Sequence, residues 1–377
     1  MKQSTTPSKA TAKAEATALA ACTAVAVDLA KQVFQIAAED ALGQVLYEDR
    51  LKSRQAFRAF LSNLPPGLVV LMETGPGAQA WARQLSQAGH AVRILPAQRV
   101  AEHRSGAKND RNDAHAILRA GHDSHIAAVP VKSAQELALQ ALHRVRQGHV
   151  RRRTALANQM RGLLLEHDIA LAKGDVALLR GVSRVLEGAS EPVPELLGEL
   201  LAELLAEWRH LDDRIQALTV KLYAQANQHP GARQLMSVRG IGPITATALL
   251  AKRIDPERFA NARQFAAYFG IVPDQHSSGP KVRLGKMSKR GDGYVRGLMI
   301  EGAQAVLRHV RPQSGHSDDQ RLLRWMQRHG RKGAAIRLAN RNLRIVWVLL
   351  QNAQQTYCRE PNRQAPAERF KENAMHE

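Results

Sequence analysis

Hydrophobic spacing divides the chain into three stretches. Between residues 23 and 95 the apolar runs are short and bounded by turn residues. Residues 23–29 (TAVAVDL), 33–38 (VFQIAA) and 45–51 read as three β-strands, with Gly43 at the turn before the third. Ser53 is placed to N-cap a helix through Leu61, with Phe57, Phe60 and Leu61 on one face. Pro65, Pro66 and Gly67 then break the chain. Residues 68–72 (LVVLM) are continuously apolar, the pattern of a strand buried on both faces, and run directly into Glu73. Gly75, Pro76 and Gly77 turn the chain into a helix over about residues 78–88, which Gly89 ends, and residues 91–95 (AVRIL) give another strand. A basic loop leads into KNDRNDAHAI (108–117), which opens a helix. The predicted order is β-β-β-α-β-α-β-α, with the central strands as parallel neighbours.

From Ser133 to about Gln228 the period becomes helical. Leu137, Leu139, Ala141, Leu142 and Val145 open an amphipathic run that Leu156, Met160, Leu163 and Leu164 continue, and Arg151, Arg152 and Arg153 make it strongly basic. After a looser stretch with Gly181, Gly188 and Pro192, near-heptad positions fall on Leu196, Leu200, Leu204, Leu211, Ile215 and Leu222. This predicts antiparallel helices or a coiled coil, packed within one chain or between copies.

The third stretch carries turn glycines and more basic residues. In MSVRGIGPITATALLA (236–251), Gly240 and Gly242 sit between two helical segments, as in a helix-hairpin-helix. Such glycines let backbone N–H groups approach a phosphate, although a plain tight turn has the same sequence. FAAYFGIVP (265–273) leads into Asp274-Gln275-His276-Ser277-Ser278-Gly279. Lys281, Arg283, Lys286, Lys289, Arg290 and Arg296 follow as a dense basic segment, with Tyr294 available to stack on a base. Arginine-rich helices over residues 318–328 and 334–351 close the folded part.

Four acidic residues hold informative positions. Asp28 and Glu73 end strands, and Asp110 and Asp113, three residues apart, share a face at a helix start. Carboxylates there often do no more than cap a helix or mark an exposed strand end. At one rim, however, four would repel one another unless cations neutralised them, and oxygen ligands suit Mg²⁺. A pair of such ions activates an attacking oxygen and stabilises a leaving one on a phosphodiester.

Charge favours a nucleic-acid substrate. The 377 residues hold 54 Lys+Arg against 34 Asp+Glu, a net charge of +20, which points to a polyanionic partner. No apolar run approaches the ~20 residues needed to span a bilayer. Cys22 and Cys358 form no metal-ligand pattern and suggest a reducing, cytoplasmic compartment.

AVDLAKQVF, LMETGPG and KNDRNDA resemble the DEDD-type insertion-sequence transposases, a family that includes Piv-like DNA invertases. GIVP, SSG and SKRGDGYVR resemble that family's C-terminal transposase domain. The resemblance implies an α/β RNase H-like domain of the RuvC resolvase type, a helical coiled-coil segment used in assembly, and a mostly α-helical domain bearing a nucleophilic serine. It puts Asp28, Glu73, Asp110 and Asp113 at the metal-ligand positions, Lys108 near a phosphate, and the nucleophile at Ser278. Ser277 is the adjacent alternative and Ser288 a more distant one. It also implies an element-encoded guide RNA, a homo-oligomer (dimer or tetramer) and a bacterial, nucleoid-associated location. The expected organisation is a disordered tail over 1–22, the DEDD domain over 23–125, a helical linker over 126–230, the serine-bearing domain over 231–355 and a disordered end over 356–377. The residues themselves leave two rivals: a structure-selective metal-dependent nuclease of the junction-resolvase kind, which needs no serine, and a non-catalytic nucleic-acid-binding protein.

Overall fold

The computed structural model describes residues 9–107, 109–189, 191–275, 283–313, 316–352 and 355–357, with side chains from residue 14 onward. They fall into two compact units, Met1–Ala134 and Gln135–Glu377.

The first unit is built on a five-stranded sheet of order β3-β2-β1-β4-β5. Its strands are β1 (Ala24–Leu29), β2 (Phe34–Glu39), β3 (Val45–Leu51), β4 (Val69–Glu73) and β5 (Ala91–Leu95). The first three form an antiparallel meander, while β4 lies parallel to β1 and β5 parallel to β4. Pleating sends alternate residues to opposite faces. Val25, Val27, Phe34, Ile36, Val70 and Met72 enter one core, with Phe57 of α2 (Arg54–Ser62) and Trp81 of α3 (Ala78–Gln87). There Phe34 stacks on Phe57 at 4.2 Å between ring centroids, and Trp81 meets Phe57 edge-on at 4.8 Å. Ala26, Ala37, Leu71 and Leu95 face the other core, against α4 (Ala97–Glu102) and α5 (Asp110–His122).

Most elements predicted from periodicity are present, including the Ser53 cap, whose hydroxyl accepts from the Ala56 N–H at 3.0 Å. In the first unit two described helices go beyond the periodicity. One is α4. The other, α1 (Lys9–Ala20), occupies much of the expected disordered tail; it packs beside β3 and buries Leu19. Ala-rich sequence favours helix without giving an apolar stripe to detect.

The second unit joins the expected linker helices to the C-terminal segment. α6 (Ala134–Leu165) and α8 (Glu195–Gln228) run antiparallel, tied by Arg146 to Thr219 at 2.7 Å and by Arg153 to Asp212, with α7 (Asp175–Leu186) closing the cluster. The inward row of α8 is Leu197, Leu201, Leu205, Trp208 and Leu211. Leu196 and Leu200, predicted to be seam positions, are instead 67% and 44% exposed. The sequence ELLGELLAELLAEW offers leucine doublets, so spacing alone does not say which member points inward. The remaining core packs α9 (Pro230–Met236), α10 (Pro243–Leu250), α11 (Ala262–Tyr268), α12 (Gly293–Arg308) and α13 (Ser317–Gln351) around Phe265, Phe269 and Met299. The two arginine-rich helices predicted at the end are the halves of α13, broken at Gly330 (φ 67°, ψ 171°). β6 (Pro273–Gln275) and β7 (Leu284–Met287) form a two-stranded antiparallel sheet.

Candidate active site

Strand register places the first two carboxylates. Val27 pairs with Met72 in the parallel β1–β4 ladder, so Asp28 and Glu73 are the next residues along. They share pleat parity with Ala26 and Leu71, whose face α5 covers. At the start of α5, Asn109 is the N-cap, its side chain accepting from the Asn112 N–H at 2.8 Å. Asn112 in turn donates to the Ala107 carbonyl at 2.7 Å. The two asparagines of KNDRND thus fix the helix entry, and Asp110 and Asp113 fall in the first turn.

The other three carboxylates act on Asp28. The Asp28 carboxyl is pushed up from 3.8 to about 6, first by burial, then by Glu73, Asp113 and Asp110, while Arg104 draws it down. Two arginines partly neutralise the cluster. Arg104, in the loop after α4, places Nε 2.5 Å from Asp113 Oδ1, with the side chains 26% and 16% exposed. Arg50 of β3 lies 3.1 Å from Asp110, in a pair more than half exposed. Beside them Glu48 accepts from Arg111 at 2.8 Å and pairs with His115. Burial pushes the Glu48 carboxyl up, but those two hydrogen bonds outweigh it and hold it below the ordinary value. Neither arginine nor the Glu48–His115 pair has a signature in the sequence. Glu48 and His115 are 67 residues apart, and no spacing rule joins them.

Oxygen donors in a repelling, partly buried group match the chemistry of a hard divalent ion. Among the described residues, no three His, Cys, Asp or Glu side chains converge tightly enough to hold a metal. Asp110 and Asp113 are paired with the two arginines.

The predicted nucleic-acid contacts divide. Lys108, Ser277, Ser278 and Lys281 lie outside the described residues. Arg151, Arg152, Arg283, Lys286, Lys289 and Arg290 are exposed or half-buried at the surface. Arg153 and Arg296, expected to meet phosphate, are half-buried and internally committed. Arg153 pairs with Asp212 and Asp175 and sits over Trp208, 5.3 Å from the ring centroid. Arg296 donates to the carbonyls of Phe269 and Arg290 at 3.1 and 3.2 Å. Tyr294, expected to stack on a base, places its hydroxyl 3.0 Å from His143 Nδ1. His143 is buried, which with Arg146 and Lys252 pulls its ring down to about 4, so it is neutral at physiological pH; its Nε2 reaches Thr247 at 3.0 Å.

Of the two glycines in the GIG turn, Gly240 is held by close packing. Gly240 and Gly302 of α12 bring two backbones together: a Cβ on Gly302 would stand 1.9 Å from the Gly240 carbonyl oxygen. Gly242 is the N-cap of α10 and has open space around it. Gly302→Ala should therefore destabilise the second unit by about 3 kcal/mol or more, since backbone cannot yield as a side chain does. Gly297→Ala, in the same helix with nothing within 4 Å, should instead stabilise by about 0.5–1 kcal/mol. Denaturant titrations of both variants check the contrast.

Comparison with known proteins identifies the family. A DEDD transposase model matches residues 25–168, and the model described as "Transposase IS116/IS110/IS902 family" matches residues 232–317. A Pseudomonas aeruginosa protein described as "Probable family 20 transposase" is 43% identical over 86% of this chain and 96% of its own length. The transposase for insertion sequence element IS1111A of Coxiella burnetii is 35% identical, over 88% and 90%. That for IS1328 of Yersinia enterocolitica is 34% identical, over 86% and 96%. No described helix is long and apolar enough to cross a membrane. Identity and coverage of this extent establish that the chain belongs to the IS116/IS110/IS902 transposase family, enzymes that cut and rejoin DNA.

Proposed function

We propose that Asp28, Glu73, Asp110 and Asp113 hold divalent ions, Mg²⁺ by their donor chemistry, on an RNase H-like domain, and that Ser278 is the nucleophile. The observation that supports the metal reading is the register of β1 and β4, which makes Asp28 and Glu73 neighbours at strand ends packed by α5, whose first turn carries Asp110 and Asp113. When bound, such ions supply positive charge to the attacking and leaving oxygens of a phosphodiester. The chain's own groups supply the rest. Asp28 and Glu73, on neighbouring rigid strands, fix one side of the centre, and the capped first turn of α5 fixes the other. Arg151 and Arg152 on α6, together with Arg283, Lys286, Lys289 and Arg290 near the serine segment, hold phosphates. In this reading the enzyme works as a homo-oligomer of two or four chains, on nucleoid DNA, directed by an RNA from its own element.

The test uses the protein purified with whatever nucleic acid it carries, assayed for cleavage and rejoining of element-end DNA. Chelation should stop both steps, and added Mg²⁺ or Mn²⁺ should restore them. RNase treatment should also stop them, and sequencing the co-purified RNA should return element sequence. Full activity in excess chelator would end the metal reading; full activity after RNase would end the guide.

A further inference from the structure

The ribbon of β6 and β7 is held firmly at its base and stands in water beyond it. At the base, Arg296 donates to the carbonyls of Phe269 and Arg290, Asn340 donates to that of Ile271 at 2.7 Å, and the Ser288 N–H donates to that of Val272 at 2.9 Å. Pro273 pairs with Met287 and Gln275 with Leu284, so β7 spends one residue more than β6 between the two pairs, as in a β-bulge. Pro273 and Gln275 are two apart and share a face, and cross-strand partners lie on the same face. Met287 and Leu284 are therefore on one side of the ribbon. Met287 packs against the core of the second unit, whereas Leu284 is 66% exposed. A single exposed leucine is ordinary on a protein surface. This one stands among cations: Arg283 beside it and Lys286 two residues on are exposed, as are Lys289 and Arg290 at the base. Among the described residues from 273 to 290 the one acidic group is Asp274, half-buried and 3.8 Å from Arg290.

We propose that the β6–β7 ribbon enters a groove of duplex DNA and sets Leu284 against the base stack, with Arg283 and Lys286 on the flanking phosphates. The inference rests on the reading that this basic segment holds phosphates, and adds a base contact to it. Phosphate contacts carry no sequence information, so an apolar group among them is where the ribbon can sense the bases. A two-stranded ribbon fits a groove of B-form DNA, and an apolar side chain pressed on a base step partly unstacks it, most easily at flexible TpA steps. The residues fit other partners less well. Double-stranded RNA is read across its minor groove by shape and 2′-hydroxyls, for which leucine has no donor or acceptor. Single strands stack on aromatic rings, and the described ribbon residues include none. A second copy would bring the same cations to the same place.

Fluorescence of a short DNA duplex carrying 2-aminopurine at a central TpA step, titrated with the purified full-length protein, tests this without reference to activity. Wild type should raise the signal by about twofold or more at saturation, because unstacking relieves the quenching of the probe base. Leu284→Ala should remove the rise, and Leu284→Met, which keeps an apolar chain of similar reach, should retain most of it. Since Leu284 is exposed, neither variant should shift the melting temperature, and Leu284→Ala should keep the wild-type salt dependence of binding. Arg283→Gln combined with Lys286→Gln should do the reverse: the rise at saturation stays, and the log–log salt slope flattens by roughly 1.8, at roughly 0.9 per phosphate. Val220→Ala, at an equally exposed position of α8, is the control and should change neither signal nor slope. No rise with wild type, a rise that persists in Leu284→Ala, or an equal rise on an RNA duplex of the same sequence would overturn the proposal. So would a lower melting temperature or an altered sedimenting mass in Leu284→Ala, which would make the leucine a packing residue or a contact between copies. If the double variant leaves the slope unchanged, the phosphate reading itself fails, and this inference with it.

Discussion

Asp28→Asn is expected to abolish strand cleavage while making the metal-free protein more stable at neutral pH. The loss of cleavage should be at least about a thousandfold, because a metal centre supplies several kcal/mol of transition-state stabilisation and each ~1.4 kcal/mol is tenfold. The gain in stability follows from the same crowding. In the fold the Asp28 carboxyl titrates at about 6, against an ordinary 3.8, because burial and then Glu73, Asp113 and Asp110 oppose its charge. A raised carboxyl binds its proton more tightly in the folded state than in the unfolded one. Its stabilising proton is therefore fully present below about pH 4, lost as pH rises through about 6, and absent above that. Asparagine carries no such penalty. Melts in chelator should show little difference between variant and wild type at about pH 4, and an advantage for Asp28→Asn that grows as pH rises through about 6 and is level above it. Glu48 works in the opposite sense, since its carboxyl is held low by His115 and Arg111 and its contribution is lost as pH falls. Comparison with wild type at each pH cancels it. A difference that does not change with pH would mean that the four carboxylates do not interact as described.

Ser278→Ala is expected to eliminate a covalent protein–DNA adduct that Ser277→Ala retains. In the proposed step the serine oxygen bonds to phosphorus, one strand oxygen leaves and takes a proton, and rejoining reverses this with a new strand. A serine hydroxyl is weak at neutral pH and needs activation, which gives the acidic centre and the serine a reason to be required together. Ser278 itself lies outside the described residues, but the segments flanking its stretch are firmly built. A Cβ on Gly270 would stand 2.0 Å from the Arg290 carbonyl oxygen, and one on Gly291 would stand 1.9 Å from that of Tyr268, so the GIVP and SKRGDG turns lie backbone to backbone. The Ser288 N–H donates to the Val272 carbonyl at 2.9 Å, and Arg296 clamps both turns from α12. Denaturing gels followed by peptide mapping identify the modified residue. Full recombination by Ser278→Ala would remove the serine from the mechanism and favour a metal-only nuclease.

The sheet and its acidic rim are legible in the sequence because two signals coincide there. Apolar patterning marks the strands and turn residues mark their ends, so the sequence alone puts Asp28 and Glu73 at strand ends. The KNDRND stretch is legible as a helix start, although the cap is Asn109 and the acidic residues follow it. Arg104 is not legible, because a basic residue in a basic loop has no pattern that says which carboxylate it will meet. The same blindness runs the other way for Arg153 and Arg296. Runs of charge predict a partner of opposite sign, and in this fold those partners are Asp212, Asp175 and backbone carbonyls. Gly240 shows that a glycine demanded by close approach does not declare what approaches it; here it is α12 at Gly302. α8 departs from its predicted seam for a geometric reason. With Leu196–Leu197 and Leu200–Leu201 adjacent, two helical faces fit the spacing equally, and packing against Met160 and Leu178 selects one.

The most direct test of the acidic centre is where a divalent ion sits. Crystals of the protein grown at saturating Mn²⁺, with data collected at the manganese edge, should give anomalous density at the rim where β1 and β4 end beneath the start of α5. Asp28, Glu73, Asp110 and Asp113 should lie within ligating distance of that density. Anomalous density at other acidic residues, with none at this rim, would contradict the account.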